Sequence, residues 1–491
     1  MFDQKKLIHF LLCVLVSVST SKALSASPDE ERLSAQGAEF SVDGHMGGMY
    51  PAFHFSIRHY AVRCKQFMPL TFSVKSSDQK LRFWLDEFRS LQPGTSLNLV
   101  PNSEDQTFEL SSIGTNTETQ FWIHCIPEDF PVLKVQKFEE HISSGLFLLA
   151  ARVSRGGEKQ ATYVMNVDQH GVPRKYKKII GLATNYQREL DGSFSFLQST
   201  QKNEFGFLNF EYVQTDKHFN VIRQQSTIGL NHTDLHESFL TEQGTLFLMA
   251  YNSSLRDMSA FGAKVSERTR DSVIQEIGPK GEVLFEWNSW DHLDLGQCKQ
   301  HRFPDDYAHL NSISLAPENS LIVSMRGCSQ VLKIDRTSGE VIWRLGAGDS
   351  DFKIVGDPMD EFCGQHTAFE SRRGTLILFD NGGHCFGERE SLHGRVSRVV
   401  EYALDPSKNT ATLLKSFYYP ESKKVYTPSG GSVVETQKGN LVVSWNDGPR
   451  PSFTEFTPLG ETVLHMQVGV ADAHVSIYRV YKIDAENHQR R

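Results

Sequence analysis

Short runs of alternating apolar and polar residues dominate the chain from about residue 41 onward. Up to residue 130 these runs include "FHFSIRHYAVRC", "LTFSVKS", "SLNLV", "TFELSSI" and "TQFWIHC", and clusters of Ser, Asn, Gly and Pro separate them. Alternation with a period of two is typical of half-buried strands, so residues 41–130 are predicted to form a small β-sandwich domain. The segment "IPEDFPVLKV" carries two prolines and is interpreted as a linker.

Beyond residue 135 one apolar strand pattern recurs six times, and a second unit with its own turn follows each copy. Six such pairs of hairpins predict a six-bladed β-propeller over residues 135–485, and therefore an all-β chain. The final "SIYRVYKI" is expected to close the ring against an early blade, because closure removes exposed strand edges. The six copies are "SGLFLLAAR" (144–152), "EFGFLNFEY" (204–212), "GTLFLMAY" (244–251), "NSLIVSMR" (319–326), "GTLILFDN" (374–381) and "GNLVVSWN" (439–446).

Residues 1–23 have the pattern of a secretory signal peptide: two lysines, a short apolar stretch, and small residues before a cut after Ala23. No other stretch is long and apolar enough for a membrane helix, so we expect a secreted protein with no membrane partner after cleavage. The formal net charge of -8 argues against nucleic acid as a partner. Two acceptor sequons, at Asn231 and Asn252, suit a glycoprotein. The oligomeric state is open at this point.

The cysteine count suits the same compartment. Cleavage of the signal removes Cys13 and leaves an even number of cysteines, as expected for disulfides in an oxidising environment. The expected pairs are Cys64 with Cys125, Cys298 with Cys328, and Cys363 with Cys385. The first pair would join the first and last strands of the predicted sandwich.

A histidine recurs at the start of the innermost strand in three consecutive predicted blades. His236 precedes Gly244 by eight residues, and His366 precedes Gly374 by eight. His309 in "HLNSISLAPENSLIVSMR" has the same place, apart from a turn about two residues longer. The innermost strands of a propeller converge on one mouth of its channel, so the three histidines are expected to meet there.

The strand that follows adds further polar side chains in one register, namely Tyr251, Arg326, Asn381 and Asn446. Three imidazoles and a guanidinium in one pocket favour an anionic group of the phosphate or sulfate type. A single histidine at a strand start is more often structural than catalytic. Blades one, two and six, however, lack a histidine at this position. If the histidine were a structural residue inherited with the repeat, its restriction to three blades would be unexplained.

Several segments, taken in order, resemble the arylsulfotransferase family, whose members are cofactor-independent aryl sulfate transferases built on a six-bladed propeller. The resemblance rests on "DDYAHLNSIS", "LIVSMRGCSQVLKIDRTSGEVIWRLG" and "GQHTAF…GTLILFDNGG", and it covers roughly residues 230–450 well. The predicted N-terminal sandwich is similar to the accessory domain of these enzymes.

The resemblance implies an aryl sulfate donor, a phenolic acceptor and a set of roles. His366, in the QH segment, is the nucleophile and forms a transient sulfohistidine, while His309 and Arg326 contact the sulfuryl group. The remaining family histidine is assigned to His236 by repeat register, with His232 as the competitor. We expect His236 to protonate the departing phenolate or to deprotonate the acceptor phenol. The predicted substrate-binding residues are Tyr251, Asn381 and Asn446.

No Walker-type loop is present and the dipeptide Gly-Lys does not occur, so we expect neither a nucleotide sulfate donor nor another cofactor. Two other interpretations stay open. A propeller of this kind is also suited to a non-catalytic role outside the cell, binding proteins or glycans, because function lies in the site and not in the fold. Three histidines can also hold zinc in a metal-dependent hydrolase, although Arg326 would then lie beside the cation and the chain has no HExxH motif.

Overall fold

The protein is described from a computed structural model, which covers residues 38–77, 82–86, 89–113, 118–139, 144–156, 160–202, 208–259, 264–293, 304–383, 396–420, 425–446, 451–470 and 473–484. The predicted signal peptide lies outside these residues. The regular structure is almost entirely strand, with one short helix, α1 (Ser289–His292), and a 3₁₀ turn at Pro304–Asp306. No helix in the described ranges has the length and apolar character needed to cross a membrane.

Two sheets pack face to face near the N-terminus. Their strands are β1 (Ala38–Gly44), β2 (Gly47–Gly48), β3 (His59–Arg63), β4 (Leu70–Ser76), β5 (Arg82–Leu85), β6 (Arg89–Leu91), β7 (Ser96–Leu99), β8 (Thr107–Ile113) and β9 (Glu118–Ile126). The sheet orders are β2-β1-β4-β7 and β3-β9-β8-β5-β6. Phe40, Phe72 and Phe108 are buried between them because apolar residues alternate along each strand. The predicted disulfide between Cys64 and Cys125 is confirmed, with Cα atoms 5.2 Å apart.

Six further sheets are the blades of a propeller, which confirms the predicted fold class. Blade one contains β11 (Gly145–Ser154), β12 (Ala161–Asp168), β13 (Pro173–Ile180) and β35 (His474–Asp484). Blade two contains β14 (Ala183–Arg188), β15 (Phe194–Lys202), β16 (Leu208–Thr215) and β17 (Val221–Gln225). Blade three contains β18 (His232–Leu240), β19 (Leu246–Arg256), β20 (Glu267–Ile277) and β21 (Val283–Asn288).

The remaining blades follow the same plan. Blade four contains β22 (Leu310–Ala316), β23 (Ser320–Met325), β24 (Gln330–Asp335) and β25 (Val341–Gly346). Blade five contains β26 (Lys353–Val355), β27 (His366–Glu370), β28 (Leu376–Asp380), β29 (Arg398–Asp405) and β30 (Thr410–Tyr418). Blade six contains β10 (Val132–Phe138), β31 (Ser432–Glu435), β32 (Leu441–Trp445), β33 (Ser452–Phe456) and β34 (Thr462–Gly469).

Both ends of the propeller chain close the ring. The last strand, β35, is the innermost strand of blade one and pairs antiparallel with β11, as the sequence predicts for "SIYRVYKI". The strand β10 pairs with β34 on the outer side of blade six. The innermost strands β35, β14, β18, β22, β27 and β31 contact one another in this order and back to β35. The starts of these six strands therefore surround one mouth of the channel.

Apolar clusters lock neighbouring blades together, because successive residues of a strand point to opposite faces. In blade four, Leu321 packs toward blade three and Ile322 toward blade five. In blade five, Leu376 packs toward blade four and Ile377 toward blade six. Blades three, four, five and six are thus joined by close-packed apolar side chains.

The register predicted for blade two is wrong by one strand. The described part of the segment 204–212, residues 208–212, falls on β16, the third strand, and β15 has the place of the recurring second strand. Both strands are buried and apolar, so their patterns are alike, and the turn tells them apart. The N–H of Gly192 before β15 donates to the carbonyl three residues earlier, as Gly244 and Gly374 do in their blades. These glycines have φ between 73 and 85°. Counting back eight residues from Gly192 places Thr184 in the histidine position.

Candidate active site

A cavity of about 400 Å³ opens where the six innermost strands begin. Its lining draws on every blade, because the strand starts converge there. Five of the residues predicted from the sequence line it together: His236, His309, Arg326, His366 and Asn446. Three lining residues that the sequence pattern did not indicate are Arg152, Thr184 and Tyr478.

Irregular pairing at the strand starts directs the three histidines into the cavity. The register between the first two strands shifts next to His309, within residues 310–312, and at His366, within residues 366–368. The same shift spans residues 233–238 around His236. A bulge of this kind turns a side chain away from the ladder. His309 and Thr367 also adopt positive φ values of 43° and 44°, a strained conformation that is common near functional sites.

His366 is held in one tautomer. The amide nitrogen of Asn381 donates to the backbone carbonyls of Thr427 and Gly430 over 2.8 and 2.9 Å. Its oxygen, Oδ1, therefore faces Nδ1 of His366 at 2.7 Å and accepts a hydrogen bond from the Nδ1–H group. Nε2 is left with a free electron pair, which accepts the N–H of Gly430 over 3.2 Å.

The same histidine is kept neutral. It is 2% exposed, and burial lowers its pKa well below the ordinary value, with the positive charge of Arg326 adding to the effect. A neutral imidazole with the lone pair on Nε2 is a nucleophile at pH 7 and needs no base to activate it.

The other two histidines are each paired with a buried aspartate. Nδ1 of His236 lies 2.5 Å from Oδ2 of Asp234, and Nδ1 of His309 lies 2.6 Å from Oδ2 of Asp306. Burial favours the neutral form of both aspartates, but the paired histidines outweigh it and lower the pKa of both, that of Asp306 to about 2. The carboxylates therefore stay ionised and face Nδ1 of their histidines, whose rings pack edge to face with centroids 5.2 Å apart.

Arg326 is a desolvated cation. Burial lowers its pKa, its Nε has no hydrogen-bond partner, and Nη2 reaches only the carbonyl of Pro428 at 3.5 Å. No carboxylate forms an ion pair with it in the part of the chain that the structure describes. A guanidinium left in this state is prepared to bind an anion.

Three predicted residues lie behind the lining. Asn381 is fully buried and acts through His366, so its predicted place among the substrate-binding residues is corrected to a positioning one. Tyr251 is buried below the cavity, its hydroxyl has no hydrogen-bond partner, and burial raises its pKa. His232 pairs with Tyr251 in the ladder and does not line the cavity, whereas His236 does.

Two lining residues, Tyr478 and Thr184, were absent from the sequence prediction for reasons that the fold explains. Tyr478 packs against His236 and His366, with ring centroids 5.8 and 6.2 Å away, and burial raises its pKa to about 12. It lies on the closing strand β35, the innermost strand of blade one, where the histidine that recurs in blades three to five is absent. Thr184 was hidden by the register error in blade two.

The cysteines near the site are consistent with structural roles. Cys328 and Cys363 are both disulfide-bonded. The partners predicted for them, Cys298 and Cys385, lie outside the described residues. Within the described residues, no group of three or more metal-ligating side chains is arranged to hold a metal ion.

The propeller part of the chain is similar in sequence to known sulfotransferases. A family model described as "Arylsulfotransferase (ASST)" matches residues 204–469, more than half of the chain. Arylsulfate sulfotransferase AssT of Escherichia coli is 27% identical over a stretch that covers 41% of this chain and 43% of that protein. The chain thus spans less than half of the length of this relative.

Solved structures with a similar course of the chain are remote in sequence. A protein of unknown function from Bacteroides caccae is 11% identical, with a TM-score of 0.44 over 69% of this chain and 99% of that one. The Pan2 WD40 domain of Neurospora crassa is 9% identical, with a TM-score of 0.30 over 65% of this chain and 89% of that one. Neither likeness carries information on function.

Proposed function

Because the chain belongs to the arylsulfotransferase family, we propose that it moves a sulfuryl group from an aryl sulfate to a phenol, with His366 as the nucleophile. One observation carries this proposal: the buried ring of His366 is neutral, and Asn381 holds its Nδ1 proton, so the lone pair is on Nε2. This lone pair lies in the same cavity as Arg326, a guanidinium without a carboxylate partner among the described residues.

In the first step, Nε2 of His366 attacks the sulfur of the donor. The bond between sulfur and the aryl oxygen breaks, and its electron pair leaves on the phenolate, which takes a proton from His236. Sulfuryl transfer resembles phosphoryl transfer, a loose in-line displacement in which the protein positions groups and balances charge. Arg326 and His309 hold the peripheral oxygens, and the sulfur takes the place of the Gly430 N–H at Nε2.

In the second step, the acceptor phenol gives its proton to the neutral His236 and attacks the sulfur. The sulfur–nitrogen bond breaks, and its electron pair returns to Nε2 of His366. The sulfated ring keeps the proton on Nδ1, where it is donated in a hydrogen bond to Oδ1 of Asn381, so the ring is cationic and a good leaving group. Asp234 stabilises His236 whenever that ring carries the proton. A covalent intermediate of this kind predicts ping-pong kinetics.

The proposed place of action is outside the cytosol, with sugar chains on the acceptor sequons. The disulfide between Cys64 and Cys125 supports this proposal, because such bonds persist in oxidising compartments.

The test is transfer from p-nitrophenyl sulfate to phenol by the purified protein. We expect release of p-nitrophenol that rises with the concentration of phenol and is lost in His366→Ala. A matched control is His218→Ala, since His218 is exposed on a hairpin of blade two. The absence of transfer, or full activity in His366→Ala, would refute the proposal.

A further inference from the structure

A second guanidinium lines the cavity and has no part in the sulfuryl transfer described above. Arg152 lies on β11, opposite Ser476 of the closing strand, and both residues line the cavity. Its Nε is buried without a hydrogen-bond partner, and no carboxylate pairs with Arg152 among the described residues. A buried donor without a partner is costly, and an acceptor on a ligand in the cavity would satisfy it.

The lining also holds two guanidinium groups, one more than the proposed sulfuryl transfer uses. Two arginines and three histidines line the cavity, and no aspartate or glutamate is among its lining residues. His366 is neutral, and Asp234 and Asp306 face the other two histidines, so the two arginines are the fixed positive charges of the lining. Arg326 and His309 already suffice for the three oxygens of the sulfuryl group, which leaves Arg152 for a second anion.

The two arginines that line the cavity belong to opposite blades of the ring. Arg326 belongs to blade four and Arg152 to blade one, and these blades are opposite in the closed ring of six. The three histidines belong to blades three, four and five, on the side of Arg326. Leu235, Ala150 and the ring of Tyr478 also line the cavity and offer an apolar surface for an aromatic ring. The cavity thus combines a group of histidines with Arg326, an apolar surface beside them, and Arg152 on the opposite blade.

We propose that Arg152 binds a carboxylate on a substituent of the aromatic ring opposite the phenolic oxygen, so that the enzyme prefers acidic phenols and their sulfates. The proposal rests on the proposed function for the orientation of the substrate. A guanidinium binds a carboxylate through two parallel hydrogen bonds, which accounts for an arginine at this position better than a general attraction of anions does.

The experiment measures the binding of two donors to the full-length His366→Asn variant, which cannot form the proposed covalent intermediate. The probes are 4-(sulfooxy)phenylacetate and 4-ethylphenyl sulfate, which differ in the carboxylate, and calorimetry gives the dissociation constants. We expect the acidic donor to bind about tenfold more tightly or better. Adding Arg152→Gln should remove this preference and leave the affinity for 4-ethylphenyl sulfate unchanged, while Arg152→Lys should restore part of it.

The control is Arg188→Gln, because Arg188 is an exposed arginine at the other end of the channel and should not affect either donor. The proposal is overturned by equal affinities for the two donors, by a preference that survives Arg152→Gln, or by a loss of affinity for both donors alike. If the preference is found but the wild type transfers sulfate to no phenol, the proposed function fails and the anion site at Arg152 stands.

Discussion

Nδ1 of His366 donates a hydrogen bond to Oδ1 of Asn381 over 2.7 Å, and the amide of Asn381 is fixed in turn by two backbone carbonyls. This contact determines which nitrogen of His366 carries the proton. Asparagine accepts the hydrogen bond without adding a negative charge that would favour the imidazolium form. The neutral form of His366 therefore depends on the uncharged amide as much as on burial.

The first prediction follows from this pair. In Asn381→Asp the carboxylate stabilises the imidazolium, so the pKa of His366 rises from its lowered value and the lone pair of Nε2 is lost at higher pH. The acidic limb of the pH profile of kcat/KM should move upward, with a loss of about 10- to 100-fold at pH 7. Asn381→Ala should lower activity across all pH values without moving the limb upward. An unchanged profile in Asn381→Asp would contradict the role assigned to this residue.

The second prediction separates activity from stability at Arg326. This buried cation has no carboxylate partner among the described residues, so Arg326→Met should leave the free energy of unfolding unchanged or raise it. The value of kcat/KM should fall by about 100-fold or more, because charge on the sulfuryl oxygens is no longer balanced. Urea unfolding and steady-state kinetics, carried out on one preparation, measure the free energy of unfolding and kcat/KM. Marked destabilisation with activity retained would show a structural role.

The third prediction concerns the buried ion pair between Glu237 of β18 and Arg479 of β35, whose charged atoms are 2.6 Å apart. Arg479 also donates to the carbonyl of Asn311 over 2.9 Å, so it joins blades one, three and four. Glu237→Leu leaves a buried charge without its partner and should lower the free energy of unfolding by about 3–5 kcal/mol. The double change with Arg479→Met should recover most of this loss. Equal stability of the single variant and the wild type would rule out the ion pair as a link across the channel.

The fourth prediction concerns the disulfide bond of the N-terminal sandwich. Cys64 and Cys125 are separated by 61 positions in the chain, so the bond restricts a long loop of the unfolded state. Replacing both by alanine should lower the free energy of unfolding by about 2–5 kcal/mol. Sulfate transfer at a temperature where the variant is folded should be unaffected, because the cavity lies in the propeller. Unfolding that is insensitive to the change would show that other contacts hold these strands.

The sequence could predict what repeats along the chain and little of what does not. His236, His309 and His366 share a register, so their convergence followed from blade geometry, and the structure places all three on one cavity. Asn381 and Asn446 share a register too, but only Asn446 lines the cavity. Asn381 is fully buried, because the side chains packed around each position decide whether it is exposed to the cavity. Asp234 and Asp306 lie two and three residues from their histidines, a local signal that a search for repeats passes over.

The remaining omissions have a topological reason. Tyr478 reaches the site on a strand that returns to blade one from the far end of the chain, so no local pattern connects it with Arg152 on β11. Blade two was misaligned because two adjacent strands are equally apolar, and only the turn at Gly192 identifies the register.

The most direct test of the account is to trap the intermediate. The wild type is incubated with an aryl sulfate in the absence of a phenol, quenched at alkaline pH, and digested for peptide mass spectrometry. We predict one sulfuryl group on His366, which disappears when phenol is added before the quench and does not form in His366→Ala. A protein that transfers sulfate without labelling His366, or that carries the label on another residue, would contradict the central claim.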